Sequence, residues 1–150
     1  MEKIKIAIGS DHGGYELKKY LFDELLKKGY EVTDCGTYTK DSCNYPEFAI
    51  KVATLVQRNH ADYGILICNS GEGMCIAANK FDGVRCGLIY NEEVARLVKE
   101  HNNCNIIAFG ANYISQEEAL KDTMIFLNTK FAQGRHSVRL SIINEIEKNN

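Results

Sequence analysis

Cys68, Ser70 and Glu72 place a thiol, a hydroxyl and a carboxylate within five residues, with Asn69 and Gly71 between them and Gly73 directly after. Ahead of them the apolar run Ile65 to Cys68 reads as the end of a buried strand, and the Ala-rich run after Gly73 reads as a helix. Glycines at 71 and 73 permit backbone angles or close approaches that a Cβ would forbid, so a ligand can reach successive backbone N–H groups. The first turn of the helix adds unpaired N–H donors and the positive end of its dipole. This predicts a site for an anion or a developing oxyanion, with Cys68 as a base and Ser70 as a hydroxyl beside it. Cys68 alone would read as buried filler, but a helix N-terminus stabilises a thiolate, and that position favours a functional part. Glu72 is a rival base, although an acid at a helix start is stabilised there without any chemical duty. Cys75, inside the helix, reads as core filler.

The other chemistry-bearing residues are scattered. Asp11 and His12 follow the first strand. Asp11 suits a helix cap, and the pair also suits projection from the strand's C-terminal edge into the crevice that holds Cys68. Asp34 stands 20 residues beyond Gly14, but Gly9, Gly13 and Gly14 miss the G-x-G-x-x-G spacing, which argues against a dinucleotide site. His101 closes a helix, where a cation complements the dipole, yet a protonatable ring with Asn102 beside it also suits a sugar-ring acid. Arg135 and Arg139 share a face if the tail is helical, and two guanidinium groups on one face suit a phosphate as well as a solvated surface. Tyr45 could donate to a ligand hydroxyl or simply start the helix that Pro46 opens. His60, in a polar turn, reads as solvated.

Positioning these groups falls to an alternation of strands and helices. Ile4, Ile6 and Ile8 give the first strand and Tyr15 to Lys28 a helix, with Leu17, Tyr20, Leu21, Leu25 and Leu26 buried and Gly29 as the stop. Glu31 to Asp34 form the second strand, a loop runs from Cys35 to Asn44, and a helix from Pro46 to Asn59 carries Phe48, Val52, Leu55 and Val56 inward. After the central strand and loop come a strand at Arg85 to Ile89, a helix at Glu92 to His101, a strand at Asn105 to Phe109 and a helix at Gln116 to Thr129. Five short apolar strands separated by amphipathic helices predict a doubly wound, Rossmann-like three-layer α/β/α sandwich on a five-stranded parallel sheet. The tail from Ser137 to Lys148 carries Val138, Leu140, Ile142, Ile143 and Ile146 on a helical pattern with little chain left to cover it. That predicts packing on a second subunit.

The totals narrow the classes. With 150 residues and 45% hydrophobic content the chain is the size of one domain, 1–150, able to bury a full core. A formal charge of −2 provides no basic field, so a small ligand or a protein is the expected partner and nucleic acid is not. No run approaches the roughly 18 apolar residues of a membrane helix, and the alternating charges of residues 1–8 are unlike a leader, which together predict a cytoplasmic protein. Six cysteines without a Cys-x-x-Cys pair read as free thiols in a reducing compartment. No two cysteines and no two histidines have the short spacing of a zinc clamp.

Taken in order, Gly9 to Lys18, Asn44-Tyr45-Pro46, Cys68 to Met74, Ile76 to Lys80, Glu100-His101-Asn102 and Gly134-Arg135-His136 resemble type B ribose-5-phosphate isomerase, over nearly the whole chain. The wider family includes galactose-6-phosphate isomerase subunits and allose-6-phosphate isomerases. The resemblance implies a metal-free, cofactor-free aldose–ketose isomerase of a sugar phosphate, a homodimer or homotetramer with sites shared between subunits. By the same analogy Cys68 moves a proton between C1 and C2 through a cis-enediolate, Ser70 assists, and backbone N–H groups from Asn69 through Gly71 and Glu72 to Gly73 hold the enediolate oxygen. Asp11 and Tyr45 would bind sugar hydroxyls, and His101 of the neighbouring subunit would open the furanose ring with Asn102 alongside. Asn112 matches a ligand-contacting position, and His12 with Arg135 and Arg139 of the partner would hold the phosphate. Two departures stand out. Many members have glycine at the Asn69 position, where Asn is the side chain least penalised if the backbone is left-handed. The subgroup that uses a carboxylate after the second glycine would carry it where Met74 stands, which aligns this chain with the thiolate users.

The resemblance implies interconversion of D-ribose 5-phosphate and D-ribulose 5-phosphate in the pentose phosphate pathway. The alternatives are an isomerase of a six-carbon aldose 6-phosphate, and a non-catalytic flavodoxin-like module that binds a phosphorylated ligand and has no need of a thiol. A thiol-redox enzyme fits poorly, because Cys68 lacks a resolving cysteine at Cys-x-x-Cys spacing.

Overall fold

The computed structural model describes residues 2–150. Its strands are β1 (Lys5–Ser10), β2 (Glu31–Asp34), β3 (Tyr63–Cys68), β4 (Cys86–Leu88) and β5 (Ile106–Gly110). The helices are α1 (Tyr15–Lys27), α2 (Tyr45–Gln57), α3 (Glu72–Ala78), α4 (Glu92–Glu100), α5 (Gln116–Asn128) and α6 (Arg135–Lys148), and a single 3-10 turn, His12–Gly14, precedes α1. All four strand pairings are parallel, in the order β2-β1-β3-β5-β4. The doubly wound α/β sandwich expected from the alternation is therefore present. What alternation could not supply is the order, in which β5 lies between β3 and β4 and leaves β4 at an edge.

The two faces of the sheet follow from the two-residue period of a strand. Ile6, Ile8, Ile65, Ile67, Ile107 and Phe109 point to one side and pack with Leu17, Leu21 and Leu25 of α1, Ala95 and Val98 of α4, and Ala119 and Phe126 of α5. Ala7, Leu66, Cys68, Ile106 and Ala108 point to the other and meet Phe48, Ala49, Val52, Ala53 and Val56 of α2 and Met74 and Ala78 of α3. Because both faces are covered, the inner strands read as continuous apolar runs.

Several sequence expectations need correction. Leu26 is 45% exposed. The buried stripe of α1 runs Leu17, Leu21, Leu25 at four-residue steps, and Leu26 lies about 100° round the helix from Leu25. Lys18 is buried in the same helix instead, its Nζ donating to both Asp34 carboxylate oxygens at 2.8 and 2.7 Å. Leu55 is only partly buried against its layer. α6 begins at Arg135, two residues before the expected start, and Val138, Ile142, Ile143 and Ile146 remain exposed on it. Between α6 and the β4 edge lies a cavity of about 570 Å³ that Asn102, Leu140 and Ile143 help to line.

Candidate active site

In a doubly wound sheet the crevice for a ligand opens where neighbouring strands lead their connections to opposite faces. Here that point lies between β1 and β3, and the register pairs Ser10 with Ile67. The next residues, Asp11 and Cys68, are thereby brought side by side, and the Asp11 backbone N–H donates to the Ile67 carbonyl at 3.2 Å. Chain polarity, not a special contact, assembles this part of the site.

Asp11 is buried and caps the 3-10 turn, its Oδ1 accepting from the N–H groups of Gly13 and Gly14 at 2.9 and 3.2 Å. The Nδ1 of His12 accepts from the Cys43 backbone N–H at 3.3 Å. Accepting there requires a lone pair on Nδ1, so the proton of the neutral ring sits on Nε2, a donor free for a ligand. The loop from Cys35 to Asn44 thus orients His12, a contact that no sequence spacing signals.

Cys68 is nearly buried at the C-terminal end of β3, and its Sγ accepts from the Gly71 backbone N–H at 3.2 Å. Gly71 makes this possible with a left-handed backbone, φ +82°. A Cβ there would lie 2.5 Å from Leu88 Cδ1 and 2.9 Å from the Phe109 carbonyl carbon. The loop is pressed onto the end of β5, whose following residues Ala111 and Asn112 donate to the carbonyls of Cys68 and Asn69. Asn112 therefore reaches the crevice through its backbone. Ser70 and Glu72 are exposed, and the Ser70 hydroxyl accepts from the Glu72 N–H at 3.3 Å. The Tyr45 ring packs against Gly73, where a Cβ would stand 2.5 Å from Cε1 and Cζ. Asn69 has no positive φ. Its side chain lies over Gly13, so the left-handed backbone considered for it is not used.

The remaining residues form a second cluster elsewhere. His101 caps α4, and its ring stacks on His136 of α6 with centroids 4.2 Å apart and planes 12° apart. Burial, with the added repulsion of His101, Arg135 and Arg139, holds the His136 ring below the ordinary imidazole range. Arg135 and Arg139 are exposed one turn apart on α6, and Asn102, the residue after His101, is exposed. Two residues before His101, the buried Lys99 Nζ donates to the Tyr63 hydroxyl at 2.8 Å, and Tyr63 is the first residue of β3. This cluster therefore lies at the N-terminal edge of the sheet, whereas Cys68 lies at the C-terminal edge. A strand of six residues separates the two edges by about 20 Å. One chain brings Asp11, His12, Tyr45, Cys68, Asn69, Ser70, Gly71, Glu72, Gly73 and Asn112 together, and keeps His101, Asn102, Arg135 and Arg139 apart from them. Sequence reading did not assign His136, the stacking partner of His101; its place one residue after Arg135 was the only signal.

A glycine-turned loop, a thiol and a tyrosine at a switch point define an α/β protein with a polar crevice at its sheet edge, sized for a small ligand. Comparison with known proteins makes the class specific. The Ribose/Galactose Isomerase family matches residues 6–143. Ribose-5-phosphate isomerase B of Escherichia coli K12 is 39% identical over 144 residues, covering 96% of this chain and 97% of its own length. Among solved structures, ribose-5-phosphate isomerase B of Clostridium thermocellum is 46% identical with a TM-score of 0.96, over 97% of this chain and 99% of that one. The Mycoplasma genitalium enzyme with bound ribulose-5-phosphate is 38% identical with a TM-score of 0.96 over the full length of both. The chain belongs to the ribose/galactose isomerase family and is an isomerase. No helix among the described residues is long and apolar enough to cross a membrane.

Proposed function

We propose that residues 1–150 act as one isomerase domain that interconverts D-ribose 5-phosphate and D-ribulose 5-phosphate, with Cys68 as the base. The observation that carries the mechanism is the Gly71 N–H aimed at Cys68 Sγ, a main-chain donor that fixes the sulfur which must take the proton at the mouth of the loop. The sulfur removes the proton from C2 of the open-chain aldose, and the electron pair moves toward the carbonyl to give a cis-enediolate. Returning the proton to C1, while the proton on O2 passes to O1, yields the ketose. N–H groups of Asn69 to Gly73 stabilise the oxygen that gains charge, which is the electrostatic term that usually dominates such steps. Ser70 assists with its hydroxyl, Asp11 and Tyr45 bind sugar hydroxyls, and His12 presents Nε2–H to the phosphate.

The separation of the two clusters supports a site shared between copies of this chain. The exposed Val138, Ile142 and Ile146 of α6, at four-residue steps, offer the apolar face for that pairing. Through it the partner subunit's His101 opens the furanose ring with the partner subunit's Asn102. The partner subunit's Arg135 and the partner subunit's Arg139 complete the phosphate site.

The test is ketose formation from ribose 5-phosphate in chelator-treated buffer by wild type and Cys68→Ala. Wild type should turn over, and the variant should lose about 100- to 10,000-fold in kcat while staying folded. Equal activity in the variant would discard Cys68 and make Glu72→Gln the next substitution. An inactive wild type would send the assay to allose and galactose 6-phosphates.

A further inference from the structure

Two cysteines outside the crevice are already in contact. The sulfurs of Cys75, on α3, and Cys86, on β4, lie 3.7 Å apart, with the Cys86 S–H donating. Both are free thiols and only half-buried. Asn79 holds this approach in place. One turn beyond Cys75, its Oδ1 accepts from the Cys86 N–H at 2.8 Å and its Nδ2 donates to the Cys86 carbonyl at 3.0 Å. That clamp satisfies the outer backbone groups of an edge strand, and the four-residue spacing places Cys75 on the same face of α3 as Asn79, over Cys86.

We propose that Cys75 and Cys86 form a dithiol modification site, which a hydroperoxide converts to an intramolecular disulfide joining α3 to the edge strand. The Cys75 thiolate attacks one peroxide oxygen, the O–O bond breaks, and the departing hydroxide takes a proton to leave as water. Cys75 is thereby oxidised to a sulfenic acid and the peroxide is reduced. The Cys86 sulfur, losing its proton, then attacks the sulfenic sulfur; the S–O bond breaks, a second water leaves and the S–S bond forms. Two thiols and one hydrogen peroxide give one disulfide and two waters.

The order of attack follows from the surroundings. The hydrogen bond from Cys86 draws the Cys75 thiol below its ordinary range, against opposing burial and the Glu72 carboxylate. That same bond, together with burial, pushes Cys86 well up. Cys104, nearby under Gly87, is pushed up to about 12 by burial and is a poor competitor. Closure needs the sulfurs to draw in to about 2.05 Å. Cytoplasmic disulfides of this kind are reversible and redox-sensing, not structural. The inference does not depend on which sugar phosphate the crevice accepts.

The experiment treats the reduced full-length protein with one equivalent of hydrogen peroxide, alkylates the remaining thiols, and digests with trypsin plus a glutamate-specific protease. Cleavage at Lys80 and Arg85 separates the pair, and cleavage at Glu72 separates Cys75 from Cys68. The expected product is a Cys75 peptide joined to a Cys86 peptide, released by dithiothreitol. In Cys86→Ser, sulfenic-acid trapping at Cys75 should rise at least about tenfold over wild type, because the resolving thiol is gone. Cys75 and Cys86 both remaining alkylated while other cysteines oxidise would overturn the proposal. A bridge from either one to a different cysteine would do the same. If Cys86→Ser does not fold, the wild-type peptide map decides alone.

Discussion

Gly71 and Gly73 stand two residues apart, yet a methyl group should have opposite consequences at the two positions. Alanine at 71 must adopt φ +82°, a cost of about 1–2 kcal/mol. Its Cβ would also meet backbone of β5 at 2.9 and 3.1 Å, which cannot swing aside, adding about 1–3 kcal/mol. The sum is about 2–5 kcal/mol, or about 5–15 °C in Tm for a chain of this size. Alanine at 73 sits in the first turn of α3, where it gains up to about 1 kcal/mol over glycine. The three nearest neighbours of its Cβ are all atoms of the Tyr45 phenol, a side chain that is 37% exposed and can turn toward solvent more cheaply than backbone can shift. Gly73→Ala should therefore melt within about 3 °C of wild type. Turning the ring aside would remove the hydrogen bond to the sugar proposed for Tyr45, about 1 kcal/mol, so kcat/KM should fall about fivefold. Tyr45→Phe should show the same deficit, and the double variant should be no worse than either alone. Thermal melts and ketose-formation kinetics on the four proteins settle the matter. The reasoning fails if Gly73→Ala melts as low as Gly71→Ala, or if it keeps full kcat/KM while Tyr45→Phe does not.

Asp122 is buried on α5, and its carboxyl is pushed from 3.8 up to about 6 by burial first and then by Glu92 and Glu118. A folded value above the unfolded one gives stability that is complete below about pH 4 and lost as pH rises through about 6. With the surface carboxylates screened by water, the loss is about 1–2 kcal/mol, and Asp122→Asn should raise Tm at pH 7.5 while leaving it nearly unchanged at pH 4. For the shared site, equal amounts of inactive Cys68→Ala and His101→Ala chains, unfolded and refolded together, should recover about a quarter of wild-type activity, since half the dimers then hold one intact site. No recovery, with mixed dimers demonstrated by mass, would place both residues in one chain's site.

What sequence could and could not tell follows from the range of the forces involved. Strands, helices and the glycine loop were legible because periodicity and local backbone chemistry set them, and Gly71 needs its left-handed turn whatever surrounds it. Leu26 and Lys18 were not, since which of two neighbouring helix positions faces the core depends on how the helix is rotated on the sheet. The ion pair that buries Lys18 comes from Asp34, on another element. The Cys75 and Cys86 contact was hidden for the same reason: eleven residues apart, they meet only because β4 takes the edge and Asn79 reaches it. Of the site residues, Asp11 and Cys68 follow strand ends, and parallel strands put such ends on one edge. His101 follows a helix that returns from that edge, so polarity alone sends it to the opposite one. A chain whose chemistry needs both edges at a single substrate, as proposed for this one, would have to bring two copies together, and the exposed Val138, Ile142 and Ile146 of α6 offer a face for that pairing.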